Sequence, residues 1–349
     1  MQAMSLLALF LAQAAAAQAA GHRAPNARAP AEIVAAAPAT AWAPVPAEDL
    51  LVMELPAAPT GAGPRRIVIQ LVPAPFARPW IANIHRLAAA HWWDGLSVNR
   101  VQDNYVVQWG DANEKKPLPP GLASPTEADY AVDRNAIGLA RTGEPRTPES
   151  GASLLTAVDG ATPAASASAD VVATRTASAP QGWHQRDGYA PLVEFVDGWP
   201  VASDGASADA RVWPVHCYGS VGVGRNVSPD AGSGAELYAV IGHAPRHLDR
   251  NIAVVGRVIA GIEHLSALPR GTEALGFYRT PGERTAITSI RLAVDLPAAQ
   301  RPRYEYLKTD TEAFARVVAA RANRKDDFFI RPAGGVDICN LPVPIRPIR

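Results

Sequence analysis

Cysteine, net charge and long apolar runs are all scarce in this 349-residue chain. Its two cysteines are too few for a disulfide-dense scaffold, or for a zinc or iron–sulfur site built on several cysteines. The 33 basic residues balance 33 acidic residues, which argues against a nucleic-acid binder that relies on phosphate neutralisation. After residue 20, no stretch approaches the roughly 20 apolar residues that a membrane helix needs. We therefore expect no nucleic-acid partner and no stable membrane span in the mature protein.

The first 20 residues have the pattern of a cleaved signal peptide. A short apolar core at residues 5–11 is followed by Ala17-Gln18-Ala19, which fits the small-x-small cleavage pattern. Because no Lys or Arg precedes that core, an uncleaved anchor or a cytosolic segment stays open as the alternative. The pattern predicts an exported protein, and the Ala- and Pro-rich composition favours a bacterial periplasm.

An oxidising compartment would allow the two cysteines to pair. Cys217 and Cys339 are the only candidates, and they lie far apart in the sequence. By chain-entropy arithmetic, closing so long a loop stabilises the fold by about 4–5 kcal/mol before strain. We favour this disulfide over the alternative of two free buried thiols.

Short strand-like segments dominate the part of the chain that follows residue 47. Residues 21–47 are rich in Ala and Pro without periodicity, and we interpret them as a disordered or extended leader. Residues 112–186 are rich in Pro, Ala, Ser, Thr and Gly, which predicts a long loop insertion. Residues 297–349 form a C-terminal extension that we expect to pack on the main body through Phe314, Val317 and Val318. The apolar patterns predict strands at 50–55, 67–72, 96–101, 104–108, 219–223, 236–241, 252–258 and 286–296, and helices at 76–91, 258–268 and 311–322.

Many short strands, few helices and turn-rich links predict a mainly β protein, either a barrel or a sandwich with helical caps. A metal site is not expected. His243 and His247 are four residues apart, but Pro245 between them would break a helix, so they are more typical of a turn.

Five motifs along the chain are informative in combination. They are Asn99-Arg100-Val101 with residues 105–111, residues 236–241, His247-Leu248-Asp249 with residues 254–258, the helix at 76–93 with Asp94-Gly95, and GSVGVGR from Gly219. Each of them resembles a segment of the cyclophilin family of peptidyl-prolyl isomerases, and their order along the chain is the order in that family. The family segments include F-H-R-V, G-F-M-I-Q-G-G-D, S-Q-F-F-I, L-D-G and V-F-G-K/R-V. The resemblance covers residues 48–296, interrupted by the predicted insertion.

This resemblance implies a closed eight-stranded antiparallel barrel capped by two helices, with a groove on its outer face for proline-containing polypeptides. It implies rotation about the peptide bond before proline, a bond whose barrier is about 18–20 kcal/mol, with no cofactor. We expect the clients to be unfolded exported proteins, and we expect the enzyme to act as a monomer.

The family motifs assign roles to individual residues. Arg100 matches the catalytic arginine, whose guanidinium donates to the proline nitrogen of the twisted amide. Gln108 matches the glutamine that orients the arginine or the substrate backbone, and Glu236 stands at a third catalytic position where the family has glutamine. The positions that match the substrate-binding residues are Tyr105, Val106, Gly224, Tyr238, Leu248 and Ile252.

Several departures from the family pattern leave a second function open. Val106 replaces methionine, Ile252 replaces a frequent histidine, and the Glu236 carboxylate would change the local field and could pair with Arg100. The alternative function is a non-catalytic cyclophilin-like module that binds proline-containing segments or a partner protein.

Overall fold

The computed structural model describes residues 28–58, 63–137, 183–326 and 328–348. The predicted signal peptide and the residues of the predicted insertion from 138 to 182 lie outside the described residues. Within the described ranges, no helix is long and apolar enough to cross a membrane.

The protein is mainly β, with four helices and three antiparallel sheets among the described residues. The helices are α1 (Pro30–Ala35), α2 (Arg78–Ala89), α3 (Ile262–Ser266) and α4 (Glu312–Ala322). The strands are β1 (Trp42–Pro44), β2 (Leu50–Leu55), β3 (Arg65–Leu71), β4 (Ser97–Val101), β5 (Val106–Gly110), β6 (Val132–Asp133), β7 (His184–Gln185), β8 (Leu192–Val196), β9 (Trp199–Ser203), β10 (Arg211–Pro214), β11 (Ser220–Val223), β12 (Leu237–Val240), β13 (Val254–Ala260), β14 (Thr285–Ala286), β15 (Ser289–Leu292), β16 (Tyr304–Leu307) and β17 (Ile345–Pro347).

The largest sheet is curled and has nine strands in the order β14-β4-β5-β12-β11-β13-β3-β2-β15. Its two edge strands follow each other directly in the chain. The Ile287 N–H donates to the Leu96 carbonyl beside β4 at 2.7 Å, and the Thr288 N–H donates to the Glu54 carbonyl of β2 at 2.9 Å. One continuous segment therefore changes partner from one edge of the sheet to the other.

Helix α2 packs its apolar face into the main core together with residues of this sheet. Trp80, Ile84 and Leu87 are fully buried in the main core, as the helical spacing predicts. Burying each such side chain contributes about 1.5–3 kcal/mol. The neighbouring Asn83 amide donates to the carbonyl of Ser233 at 2.9 Å, so the same helix also fixes the loop that leads into β12.

Parts of the predicted insertion are folded against the rest of the protein. The Tyr130 ring stacks on Trp80 with 5.5 Å between ring centroids. Strand β6 lies at one edge of a five-stranded sheet with the order β6-β10-β9-β8-β7. Arg134, which follows β6, forms a buried 2.7 Å ion pair with Glu194 of β8. The two described ends of the insertion, which carry β6 and β7, therefore lie in one sheet with the strands that follow it.

The two ends of the chain build a third sheet, which differs from the disordered or extended leader that we predicted for residues 21–47. Helix α1 and strand β1 both fall in that range, and the sheet order is β1-β16-β17. The predicted apolar face of α4 is buried, but it packs with Trp42 and Leu307 in a separate cluster rather than in the main core. The helix and strand in this range are six and three residues long, too short to show a period in the sequence.

Candidate functional site

Arg100 lies on β4 directly opposite Gln108 on β5. Its Nη1 donates to Oε1 of Gln108 at 3.2 Å, its Nε donates to the Leu275 carbonyl at 2.7 Å, and its Nη2 donates to Oε1 of Gln102. These bonds occupy three of the five N–H groups that a guanidinium carries. Burial lowers the pKa of Arg100 from its ordinary value. Three hydrogen bonds therefore hold this cation in one orientation. Its other two N–H groups donate to no other described residue.

An apolar cluster adjoins this arginine on the face of the sheet opposite the main core. Successive side chains of a strand alternate between faces, so Val107 and Trp109 enter the main core while Val106 and Gln108 face the other way. The outer-face cluster consists of Val106, Tyr238 and Val240, with Tyr105 and Ile252 packed against them. Four of the six predicted substrate-binding residues thus come together: Tyr105, Val106, Tyr238 and Ile252. The Arg100 guanidinium lies 5.6 Å from the Tyr105 ring centroid.

Gly224 and Leu248, the other two predicted binding residues, lie beside this group in different ways. A Cβ atom at Gly224 would lie 2.8 Å from Cβ of Glu236 and 3.3 Å from Nε2 of Gln108, so the backbone directly after β11 passes against both side chains. Leu248 ends a short 3-10 turn, and its carbonyl accepts a hydrogen bond from the Ile252 N–H at 3.1 Å. That bond connects Leu248 to the outer-face cluster through the backbone.

Glu236 contacts Gln108 rather than Arg100. Among the described residues, Glu236 and Arg100 form no ion pair, although the sequence suggested that they could. Instead, the Gln108 side chain lies beside the Glu236 carboxylate and lowers its pKa, while the Gln108 oxygen accepts from Arg100. Asn99 Nδ2 donates to the Glu236 carboxylate at 3.4 Å. Burial raises the pKa of Glu236 to about 6, although the contacts with Asn99 and Gln108 lower it in part.

The structure adds His216, which the sequence patterns did not single out. This fully buried ring is hydrogen-bonded to the Tyr238 hydroxyl at 2.8 Å and to Oδ1 of Asp249 at 3.0 Å. Asp249 in turn pairs with Arg246 at 2.6 Å. Tyrosine stands where the family motif has phenylalanine, and a buried tyrosine hydroxyl needs a polar partner. That departure was the available signal for His216.

Gly222 makes room for the same hydroxyl. A Cβ atom at Gly222 would lie 2.3 Å from the Tyr238 hydroxyl oxygen, far inside van der Waals contact. Burial raises the pKa of Tyr238 well above its ordinary value, so this phenol is neutral at physiological pH. Gly222 and His216 therefore fix the position of the Tyr238 ring in the outer-face cluster.

Cys217 and Cys339, the predicted pair, are joined by a disulfide with 5.0 Å between their Cα atoms. The bond ties the C-terminal extension to the segment directly after His216, and Cys339 Sγ lies 3.6 Å from the His216 carbonyl oxygen. Across the part of the chain that the structure describes, no group of three or more His, Cys, Asp or Glu side chains is arranged to hold a metal ion.

Comparison with known proteins agrees with the resemblance stated from the sequence. The crystal structure of the cyclophilin AquaCyp293 from Hirschia baltica superposes with a TM-score of 0.57 at 18% identity, over 88% of this chain and 93% of that chain. A cyclophilin-type peptidyl-prolyl cis-trans isomerase from Cryptosporidium parvum gives a TM-score of 0.34 at 9% identity, over 70% and 96% of the two chains. No curated protein matches the sequence significantly. The family model described as cyclophilin type peptidyl-prolyl cis-trans isomerase/CLD matches residues 60–291, which is most of the chain, and the chain therefore belongs to the cyclophilin-type peptidyl-prolyl cis-trans isomerase family.

Proposed function

We propose that this protein accelerates cis–trans isomerisation of X–Pro bonds in polypeptides at the surface formed by Arg100 and the outer-face cluster. The observation that carries the proposal is the position of Arg100, whose half-buried guanidinium lies beside Tyr105 and is held by Gln108. The reaction needs an apolar surface that binds the proline ring and a hydrogen-bond donor for the amide nitrogen. The outer-face cluster provides the surface, and the N–H groups of Arg100 that bond no other described residue provide the donor.

The reaction needs no covalent step. In a planar amide the nitrogen lone pair is delocalised, which gives a barrier of about 18–20 kcal/mol. Twisting the bond localises the lone pair on the proline nitrogen, and a guanidinium N–H can then donate to it. Because a planar amide nitrogen accepts poorly, this interaction is stronger in the twisted state than in either ground state, which is the requirement for catalysis.

Gln108 and Glu236 act through the arginine. The Gln108 oxygen accepts from Arg100 while the Gln108 side chain lies against Glu236, so rotation of the amide would break its hydrogen bond to the arginine. Asn99 donates to the carboxylate of Glu236 and so fixes Glu236 beside Gln108. We therefore assign Gln108 and Glu236 as positioning residues rather than groups that touch the substrate amide.

We also propose that the curled sheet closes as an eight-stranded barrel in which β14 and β15 are two parts of one strand. The hydrogen bonds of Ile287 to Leu96 and of Thr288 to Glu54 support this closure, since they continue the ladders on both edges. In this arrangement the main core fills the barrel and the outer-face cluster lies on its wall.

We propose that the clients are exported proteins and that the enzyme works in an oxidising compartment such as the periplasm. The signal-peptide pattern at residues 1–20 and the Cys217–Cys339 disulfide support this location. The test is cell fractionation of the natural host together with mass spectrometry of the mature N-terminus.

The test of the activity is exchange spectroscopy on a short Ala-Pro peptide with the mature protein, its Arg100→Ala variant and a control variant, Arg316→Ala. Arg316 pairs with Glu312 on the surface of α4, so its loss should leave the exchange rate unchanged. Loss of the Arg100 donors should lower the catalysed rate by about 100-fold. Equal rates for the wild type and Arg100→Ala would refute the mechanism. Peptide binding without accelerated exchange would instead identify a binding module.

A further inference from the structure

Two large apolar side chains lie exposed beside Arg100 and take no part in the mechanism described above. Leu275 is 65% exposed and Phe277 is 37% exposed, although leucine and phenylalanine are among the residues most often buried in protein cores. They belong to the segment 271–277, which follows α3 in the chain and crosses β4 next to the catalytic candidate.

This segment is fixed against β4. The Leu275 carbonyl accepts from Arg100 Nε at 2.7 Å, and the Gly271 N–H donates to the Val101 carbonyl at 2.9 Å. A Cβ atom at Gly276 would lie 2.7 Å from the carbonyl oxygen of Val101, so the turn packs directly against the end of β4. Leu275 itself has a φ of +59°, a left-handed conformation that is uncommon for leucine. The backbone contacts hold the leucine side chain out in solvent.

The Phe277 ring and Tyr105 of the outer-face cluster both lie beside the Arg100 guanidinium. The Arg100 guanidinium lies 5.6 Å from the Tyr105 ring centroid and 5.3 Å from the Phe277 ring centroid. The two rings are therefore at most about 11 Å apart, which is the length of about three residues of extended chain. A peptide whose proline sits on the outer-face cluster can thus reach Phe277 and Leu275 with a residue close to that proline.

We propose that Leu275 and Phe277 form an accessory subsite for one large apolar side chain of the client, located within about three residues of the isomerised proline. This inference rests on the proposed function, because it places the proline at the outer-face cluster. The subsite selects segments of unfolded chain in which a proline lies near a core-forming residue.

The test compares peptides that carry either leucine or serine at each of the three positions on either side of one Ala-Pro unit. For the wild type, kcat/KM should be about tenfold higher with leucine at one of these positions, the usual size of discrimination by an apolar pocket. In Leu275→Ser that ratio should fall towards one, and in Leu275→Met it should be largely kept. Ile330→Ser, which removes an apolar side chain that is 96% exposed in the C-terminal extension, should keep the full ratio.

The outcomes separate the subsite from the activity. A wild type that isomerises every peptide with similar kcat/KM, or a leucine preference that survives in Leu275→Ser, overturns the subsite and leaves the isomerase activity intact. A wild type that isomerises none of the peptides overturns the proposed function, and the subsite with it.

Discussion

Replacing Glu236 with glutamine should change how the stability of the protein depends on pH. The carboxyl is held between Asn99 and Gln108, and burial raises its pKa from 4.5 to about 6. Each pKa unit corresponds to about 1.4 kcal/mol, so the shift represents about 2 kcal/mol of differential stability between the neutral and the ionised forms. Glutamine has nearly the same shape and cannot ionise.

The direction of the effect follows from the proton count of the two states. Between pH 4.5 and about 6, folded Glu236 keeps a proton that the unfolded chain has already lost, so the free energy of unfolding falls as the pH rises. The full stabilisation by the neutral carboxyl is present below pH 4.5 and is gone above about pH 6.

We would measure denaturant unfolding of the wild type and Glu236→Gln by tryptophan fluorescence from about pH 4 to about pH 7. The difference between the two unfolding free energies isolates the contribution of Glu236, because the other titrating groups cancel. The free energy of unfolding of the wild type minus that of Glu236→Gln should fall by about 2 kcal/mol across the range. The control, Ile330→Ser in the exposed C-terminal extension, removes no titratable group and should give a constant difference. A constant or rising difference for Glu236→Gln would show that the carboxyl is not desolvated as described.

Three further substitutions test other parts of the site. Tyr238→Phe leaves buried His216 without its 2.8 Å partner and should lower the free energy of unfolding by about 1–3 kcal/mol, as measured by urea unfolding; an unchanged value would mean that the contact contributes nothing. Gly222→Ala places a methyl group 2.3 Å from the Tyr238 hydroxyl oxygen and should raise KM for a proline peptide more than it lowers kcat, whereas an unchanged KM would contradict the packing argument. Cys339→Ser opens a loop whose ends are 122 residues apart and should lower the unfolding free energy by up to about 5 kcal/mol under oxidising conditions, with no effect expected only if the thiols were free.

Elements with their own apolar period could be predicted from the sequence. Strand β2 has the predicted bounds Leu50–Leu55, and α2 buries the predicted face that contains Trp80 and Ile84. These patterns are local, because a strand or helix repeats its burial within a few residues. The resemblance to the family assigned Arg100 and Gln108 to one site, and the two residues lie opposite each other on β4 and β5.

Features that depend on distant partners could not be predicted in this way. The fold of β1 depends on β16, and neither segment has enough length or alternation to indicate a strand alone. His216 looked like one histidine among eight, since its importance comes from Tyr238 and Asp249, which lie in other elements. Leu275 carries no sequence signal at all, because its exposure follows from a turn pressed against β4.

The small sheet that joins the chain ends sets an order of assembly. Trp42 pairs with Leu307, and Tyr306 pairs with Ile345, so no part of this sheet can form until the chain has been made as far as β16. A ribosome-bound or truncated chain therefore exposes the Trp42 side chain that the finished protein buries. Burial of Trp42 thus reports whether synthesis has passed the segment from Leu307 to Val343 that covers it, and a quality-control factor that binds exposed aromatic side chains could recognise chains that have not yet reached that point.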